Sequence, residues 1–523
     1  LSRMHKQHYS ALYFASVVSL GGFLFGFDAS VISGVIGFIV PQFGLNDWQL
    51  GLVVGAPTLA GIIASLSGAL LADVFGRKRV LIFLAVLYTV SALASALAPN
   101  YQVLVIARFM GGLAFASLGI APMYIGEIAP RDKRGMLVTV SQLNIVLGFS
   151  VAYFANYFVL KISQSDLAWV QALGMDQHAW RWMLGIEAIP AALWFIFLFT
   201  IPESPRWLVM RSRMDEARRV LARLKPPERL QADLEEITES LRDAKEKFFD
   251  RMKEVFMPVM RLPIAIGLIA AIAQQVTGVN AIYFYAPTIF EQSGVGTNTA
   301  FAQATLIGVI NVVFTIVAMF LIDRLGRKPL LMFGLAGIIV CTALAGYGFK
   351  QATYELSETS VATLAAEIDR EALEPLIGMN FEDDLAFKKG LSEALGDQAM
   401  REHSAALTQA AIHINPTLVL IGILGFVASF AISLGPVYWC LLSEIFPNRA
   451  RGPAMALAGF FNAMSSFTVQ FVFPWELSNL GSAAIFFVYS ALGLVAFVLL
   501  GWLLPETKGK SLEELEVLLA GKS

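Results

Sequence analysis

The sequence predicts an all-α polytopic membrane protein, with twelve transmembrane helices in two six-helix halves. Three observations carry that prediction. The 523 residues are 57% hydrophobic and only 15% charged, where soluble chains run near 25% charged. The charges sit in short islands between apolar stretches close to the ~20 residues that a helix needs to cross a bilayer. Finally, short charged motifs recur in the same order in the two halves of the chain.

Taken in order, residues 1–10 form a short N-terminal segment and the first apolar stretch covers 11–38. That stretch is too long for the h-region of a cleavable signal and lacks a small-residue cleavage site, so it is expected to be helix 1. Further apolar stretches cover 49–72, 79–98, 102–128, 136–160 and 181–201. They complete a first half at 11–201. Residues 202–261 are a charged linker, and the second half, 262–504, holds stretches at 262–290, 300–322, 329–349, 416–442, 453–475 and 482–504. Residues 505–523 form the C-terminal tail. Lys and Arg concentrate on alternate connections, among them Arg77, Lys78, Arg79, Arg131, Lys133, Arg134, Arg324, Arg327, Lys328, Arg449 and Arg451. The positive-inside rule therefore places both termini in the cytoplasm of an integral plasma-membrane protein, the inner membrane in a bacterium.

Composition also excludes classes. Net charge is −2, which leaves no basic footprint for nucleic acid. Cys341 and Cys440 stand alone within apolar stretches, so neither a disulfide nor a metal site is expected. The five His lie in termini and connections, and no nucleophile–base arrangement appears in the spans, so an enzyme is not expected.

The repeat is explicit. "DVFGRKR" (73–79) returns as "DRLGRKP" (323–329), and "GEIAPRDKRG" (126–135) returns as "SEIFPNRARG" (443–452). "PESPRWL" (202–208) is echoed by "PETKGKS" (505–511). The first pair is 250 residues apart and the second 317, so 67 extra residues enter the second half, around 351–412. This insertion carries twelve acids against four bases. It is expected to be an external, acidic, solvated helical cap. Two six-helix halves of the same orientation match the parallel-repeat architecture of secondary transporters.

Together these motifs resemble the major facilitator superfamily. With "QQVTGVNAIYFYAP" in span 7 and "GPVYWCLLSEIFP" in span 10 they resemble its sugar porter family, including bacterial proton-coupled xylose and hexose symporters. The resemblance implies alternating access, with a monosaccharide held between the halves near mid-membrane. It implies no cofactor, a proton as coupling ion, and a chain that works as a monomer.

Asp28 interrupts the apolar stretch "GFLFGFDAS", and Arg108 interrupts "VLVIARFMGGLAF". A charge at mid-membrane costs about 2.5–3.5 kcal/mol even on the lenient insertion scale, so such residues face the interior and pair. Asp28 against Arg108 satisfies both, either as a permanent ion pair or as an element that a proton switches. The resemblance favours the switch, because proton-coupled sugar porters carry Asp at this point where passive facilitators carry Asn. It also links Glu187, a third charge within a span, to coupling.

A sugar needs amides that donate and accept, and an aromatic face to stack on. Gln142, Gln274, Gln275, Asn280, Asn311 and Asn462 match the family's amide positions, and Trp439 its stacking tryptophan. Two departures stand out. Ala463 follows Asn462 where the family commonly has Trp, and Phe284–Tyr285 replaces a pair of gate tyrosines. Asp73, Arg77, Glu127, Arg134, Glu203, Arg206, Asp323, Arg327, Glu444, Arg451 and Glu506 resemble the family's cytoplasmic charge network. The linker's "MDEARRVLARL" and "LQADLEEITESLRDAKEKF" have helical periodicity. Two other readings remain: a passive sugar or polyol facilitator with a structural Asp28–Arg108 pair, and a sugar sensor.

Overall fold

The computed structural model describes residues 2–129, 134–224, 230–243, 253–362, 364, 368–447, 450–508 and 514–515. Among the described residues, twelve helices are long and apolar enough to cross a membrane: Ala11–Gly34, Asp47–Phe75, Arg77–Ala96, Tyr101–Ile128, Val140–Ser163, Ala179–Leu198, Pro258–Phe284, Thr297–Ile322, Arg327–Lys350, Pro416–Ile445, Arg451–Asn479 and Gly481–Leu503. They are called spans 1 to 12 below. Large apolar side chains such as Leu70, Ile106, Phe320, Phe333 and Trp502 stand exposed on them, as expected where the surrounding solvent is lipid.

The span ends are set by local chemistry. Asn100 caps span 4 by accepting from the Val103 N–H at 3.0 Å, and Asn415 caps span 10 ahead of Pro416 at its first turn. Gly76 and Gly326 precede spans 3 and 9 with φ of 100° and 96°. This is a conformation open to glycine and strained for other residues. Between spans, glycine allows backbones to touch. A Cβ on Gly26 would lie 2.0 Å from the Ile145 carbonyl, and one on Gly148 would lie 2.1 Å from that of Phe23. These contacts lock span 1 to span 5 as small-residue packing does in membranes.

Contacts group the chain into two compact units: Leu1–Ala29, Ala56–Ala152 and Leu184–Lys253 in the first, and Ser30–Gly55, Tyr153–Met183 and Glu254–Ser523 in the second. The grouping cuts across the halves predicted from the repeat. In the second unit, Trp48 of span 2 stacks on Trp475 of span 11 at 6.0 Å. The Tyr153 hydroxyl of span 5 donates to the Tyr283 carbonyl of span 7 at 2.6 Å. One end of spans 2 and 5 is thus built into the second-half helices.

Two linker helices form as their periodicity predicts, at Met214–Leu224 and Leu230–Asp243, the last residues of the second pattern, 244–248, lying outside the described residues; a further short helix, Pro205–Met210, precedes them. They bury Trp207, Leu208, Ala217, Leu221 and Leu234 together.

The insertion differs from its expected helical form. It contains a three-stranded antiparallel sheet in the order β2-β1-β3, with β1 at Thr353–Glu355, β2 at Asn380–Phe381 and β3 at Ile412–His413. Strands of two or three residues are too short to write a period of two into a sequence, which is why the expectation missed them. Helices including Asp384–Leu395 and Ser404–Ala411 surround the sheet. Tyr354, Leu356, Phe387, Leu391 and Leu407 form a core of its own. The cap is fastened to span 12, where Asp384 accepts from the Ser482 N–H at 3.1 Å; within the cap Asp384 also pairs with Lys388 at 3.2 Å.

Candidate functional site

The first unit holds the buried charges. Asp28, Arg108 and Glu187 are 2%, 1% and 3% exposed. Arg108 Nη1 lies 2.5 Å from Asp28 Oδ1 and Nη2 lies 3.4 Å from the Asp28 carbonyl oxygen. The buried Glu187 carboxyl is near enough to Asp28 and Arg108 to interact electrostatically with both. Two carboxyls therefore face one guanidinium, and such a buried cluster is neutral only with one proton aboard. A Cβ on Gly111 would lie 2.4 Å from Ser91 Oγ and 3.9 Å from Asp28 Oδ1, so the glycine keeps this corner open. Tyr88 and Trp194 wall the region with rings 6.2 Å apart. Sequence reasoning found the three charges but missed Tyr88, Ser91 and Gly111, which read as routine small or aromatic residues in apolar helices.

The second unit holds the amides. Span 7 runs helically over Arg261–Val276, breaks at Gly278 with φ of 97°, and resumes at Val279–Phe284. A Cβ on Gly278 would lie 2.4 Å from the Tyr489 ring. The break swings Asn280 back toward its own helix, so Asn280 Nδ2 donates to Gln275 Oε1 at 2.6 Å. Gln275 Nε2 donates to Asn462 Oδ1 at 3.1 Å and to Gln274 Oε1 at 3.3 Å. Asn462 Nδ2 donates to Gln274 Oε1 at 2.8 Å and to the Ala271 carbonyl at 2.9 Å. Gln274 Nε2 donates to the Leu434 carbonyl at 2.8 Å. Four of the six predicted amides are therefore one network, bonded to one another and to the Ala271 and Leu434 carbonyls.

The other predicted residues are not joined to it by the described hydrogen bonds. Asn311 is buried on span 8, and Trp439 is 47% exposed beside the Tyr438 ring. Gln142 is partly buried on span 5, in the first unit. At the predicted gate, Phe284 and Tyr285 are both buried. The Tyr285 hydroxyl donates to the Gln470 carbonyl at 2.7 Å, and its ring lies 4.8 Å from that of Phe473. Ser466 and Gln470 also join the amides, and sequence reasoning missed both. Their signal was the four-residue spacing Asn462, Ser466, Gln470 along one helix face.

The predicted charge network takes the same form twice. In the first unit Arg77 pairs with Asp73 at 2.9 Å and with Glu127 at 3.0 Å, while Glu203 accepts from the Lys78 N–H at 3.1 Å. In the second, Arg327 pairs with Glu444 at 2.8 Å, and Glu506 accepts from the N–H groups of Arg327 and Lys328 at 3.2 and 3.1 Å. In each, a glutamate caps the helix that follows the glycine turn. Arg206 is partly buried, and Arg451 Nε donates to the Phe446 carbonyl at 3.2 Å. The side chains of Arg134 and Asp323 lie outside the described residues.

Twelve spans, paired motifs and buried polar clusters of this kind define a transporter of the major facilitator fold, not an enzyme. The comparisons agree. The family model described as "Sugar (and other) transporter" matches residues 14–366 and 403–519. The arabinose-proton symporter of Bacillus subtilis (strain 168) is 31% identical, over 99% of this chain and 97% of that protein. The major myo-inositol transporter of the same organism is 32% identical, over 98% and 96%. The solved inward-open structure of the Escherichia coli xylose transporter has a TM-score of 0.73 at 29% identity, covering 97% of this chain and 99% of that one. The chain belongs to the sugar porter family of the major facilitator superfamily. The stretch that the family model skips lies within the cap.

Proposed function

We propose that the chain is a proton-coupled monosaccharide symporter working by alternating access, with both termini in the cytoplasm and the cap outside. The observation that carries the coupling is the cluster of Asp28, Glu187 and Arg108. Among the described residues, two buried carboxyls share one buried guanidinium, which leaves a place for one proton. Loading and releasing that proton changes which acid pairs with Arg108, which gives a two-state element for alternating access to use. A proton-motive force on the order of 150 mV supplies ~3.5 kcal/mol per proton, enough for roughly a 300-fold sugar gradient.

Sugar binding is assigned to Gln274, Gln275, Asn280 and Asn462, with Gln142, Asn311 and Trp439 as further contacts and Phe284 and Tyr285 as gate. Sugar hydroxyls, each both donor and acceptor, can exchange for the bonds between these amides without stranding a polar group. Relatives named for arabinose and for myo-inositol set the substrate panel.

The test is the external pH of a lightly buffered suspension of expressing cells, pulsed in turn with pentoses, hexoses and inositols. Prompt alkalinisation is expected with the transported sugar, and none in Asp28→Asn. Entry of a labelled sugar without any pH change would overturn symport. The chain would then be a passive carrier in which Asp28 and Arg108 form a structural pair.

A further inference from the structure

Ser466 connects the amide network to a residue outside it. Asn280 Nδ2 donates to Ser466 Oγ at 2.6 Å, and Gln470 Nε2 donates to the same oxygen at 2.9 Å. A hydroxyl oxygen accepts two such bonds, so both its lone pairs are taken. The Ser466 proton is then left to donate, and it sits beside Asn280. Both N–H bonds of the Asn280 amide are themselves committed, one to Gln275 and one to Ser466. Gln470 is 1% exposed, and its main-chain oxygen holds the Tyr285 hydroxyl.

We propose that Gln470 is a positioning residue for substrate selection. By donating to Ser466 it turns that hydroxyl into a donor, so the site there takes a ligand that presents an acceptor oxygen, such as a sugar hydroxyl or ring oxygen. Gln470 acts through Ser466 and touches no sugar. A buried glutamine eight residues beyond Asn462 gives the polar face of span 11 this second function: the same residue anchors the gate through its backbone and aims the site through its side chain. The inference rests on the sugar-binding reading of the amides.

The experiment measures initial uptake by expressing cells of labelled arabinose, xylose and myo-inositol, using as probe whichever the wild-type chain takes up fastest. Gln470→Met keeps length and burial but removes the donor. Its KM is expected to rise about fivefold, the worth of one hydrogen bond, with Vmax within about twofold. Gln470→Glu offers an acceptor that captures the Ser466 proton, and its KM is expected to rise further. In a Ser466→Ala background neither change is expected to add to the KM of Ser466→Ala alone. An unmoved KM in Gln470→Met, or effects that add to Ser466→Ala, would overturn the inference. Asn280→Ala separates the two levels. If it raises KM while both Gln470 variants leave it alone, only the inference fails; if it too leaves KM alone, or the wild-type chain takes up neither these probes nor labelled glucose and galactose, the sugar reading fails and takes the inference with it.

Discussion

Arg108 is 1% exposed, and its guanidinium has two carboxyls to answer to, Asp28 at 2.5 Å and Glu187 beside it. That redundancy predicts an unusual pattern of stabilities. Stripping a buried charge of its partner typically costs about 3–5 kcal/mol. Asp28→Asn alone does not strip Arg108, because Glu187 gives up the shared proton and becomes the counter-ion. Glu187→Gln alone does not strip it either, because Asp28 remains. Each single change is therefore expected to cost about 1 kcal/mol, the scale of one exchanged hydrogen bond. The double variant leaves a buried guanidinium unpaired and should lose the full 3–5 kcal/mol. The coupling energy between the two positions is then at least ~1 kcal/mol, far outside the scatter of additive sites. The assay is equilibrium unfolding of the four purified proteins in one detergent at neutral pH. The reasoning is refuted if the two single costs simply add, or if Asp28→Asn alone costs as much as the double variant.

Burial lifts the Glu291 carboxyl, just past span 7, from 4.5 to about 7. A raised acid stabilises the fold fully below its unfolded value, and that contribution is lost as pH rises through the folded value. Thermal melts of Glu291→Gln and the parent should coincide near pH 4.5. By pH 8 the variant should lead by on the order of 2 kcal/mol, and parallel curves would exclude the effect. Asp384→Ala removes the carboxylate that holds the cap on span 12. It should cost about 1 kcal/mol by loss of a helix cap, and proteolysis within the cap should speed up while the spans stay intact. Gly278→Ala forces a Cβ both into a φ of 97° and to 2.4 Å from the Tyr489 ring. A loss of about 2–4 kcal/mol is expected, measured by unfolding, and a neutral result would mean that the break in span 7 relaxes freely.

What the sequence revealed, and what it hid, follows from the range of each interaction. Spans are written locally in hydropathy, and the glycine turns at Gly76 and Gly326 are written in the repeated "GRK". Asp28, Arg108 and Glu187 were visible because a charge in an apolar helix has no inconspicuous reading. Gln470 and Ser466 were hidden because one glutamine or serine in a membrane helix is common helix–helix glue; only their partners distinguish them. The sheet of the cap was hidden because its pairings, such as Tyr354 with Phe381 and with Ile412, join residues far apart in the chain.

The repeat makes one further argument possible, since it places each half's residues against the other's. The 250-residue offset from Asp73 to Asp323 carries Asp28 onto Gly278, and the 317-residue offset from Glu127 to Glu444 carries Arg108 onto Gly425. The 303-residue offset from Glu203 to Glu506 carries Glu187 onto Ser490. Asp28, Arg108 and Glu187 thus fall on small uncharged residues in the second half, whereas the buried Arg77 falls on Arg327. Conversely Asn462, central to the amide network, falls on Ile145, which packs against Gly22 and Gly26. The frame of arginines, glutamates and glycine turns is kept in both halves, while the Asp28–Arg108–Glu187 cluster belongs to the first half and the Gln274–Gln275–Asn280–Asn462 network to the second. A duplicated scaffold has been kept where it builds helix ends and has diverged in its buried polar clusters. Gly278 shows both sides of that division, because the position that bears the acid in the first half is, in the second, the break that turns Asn280 into the amide network.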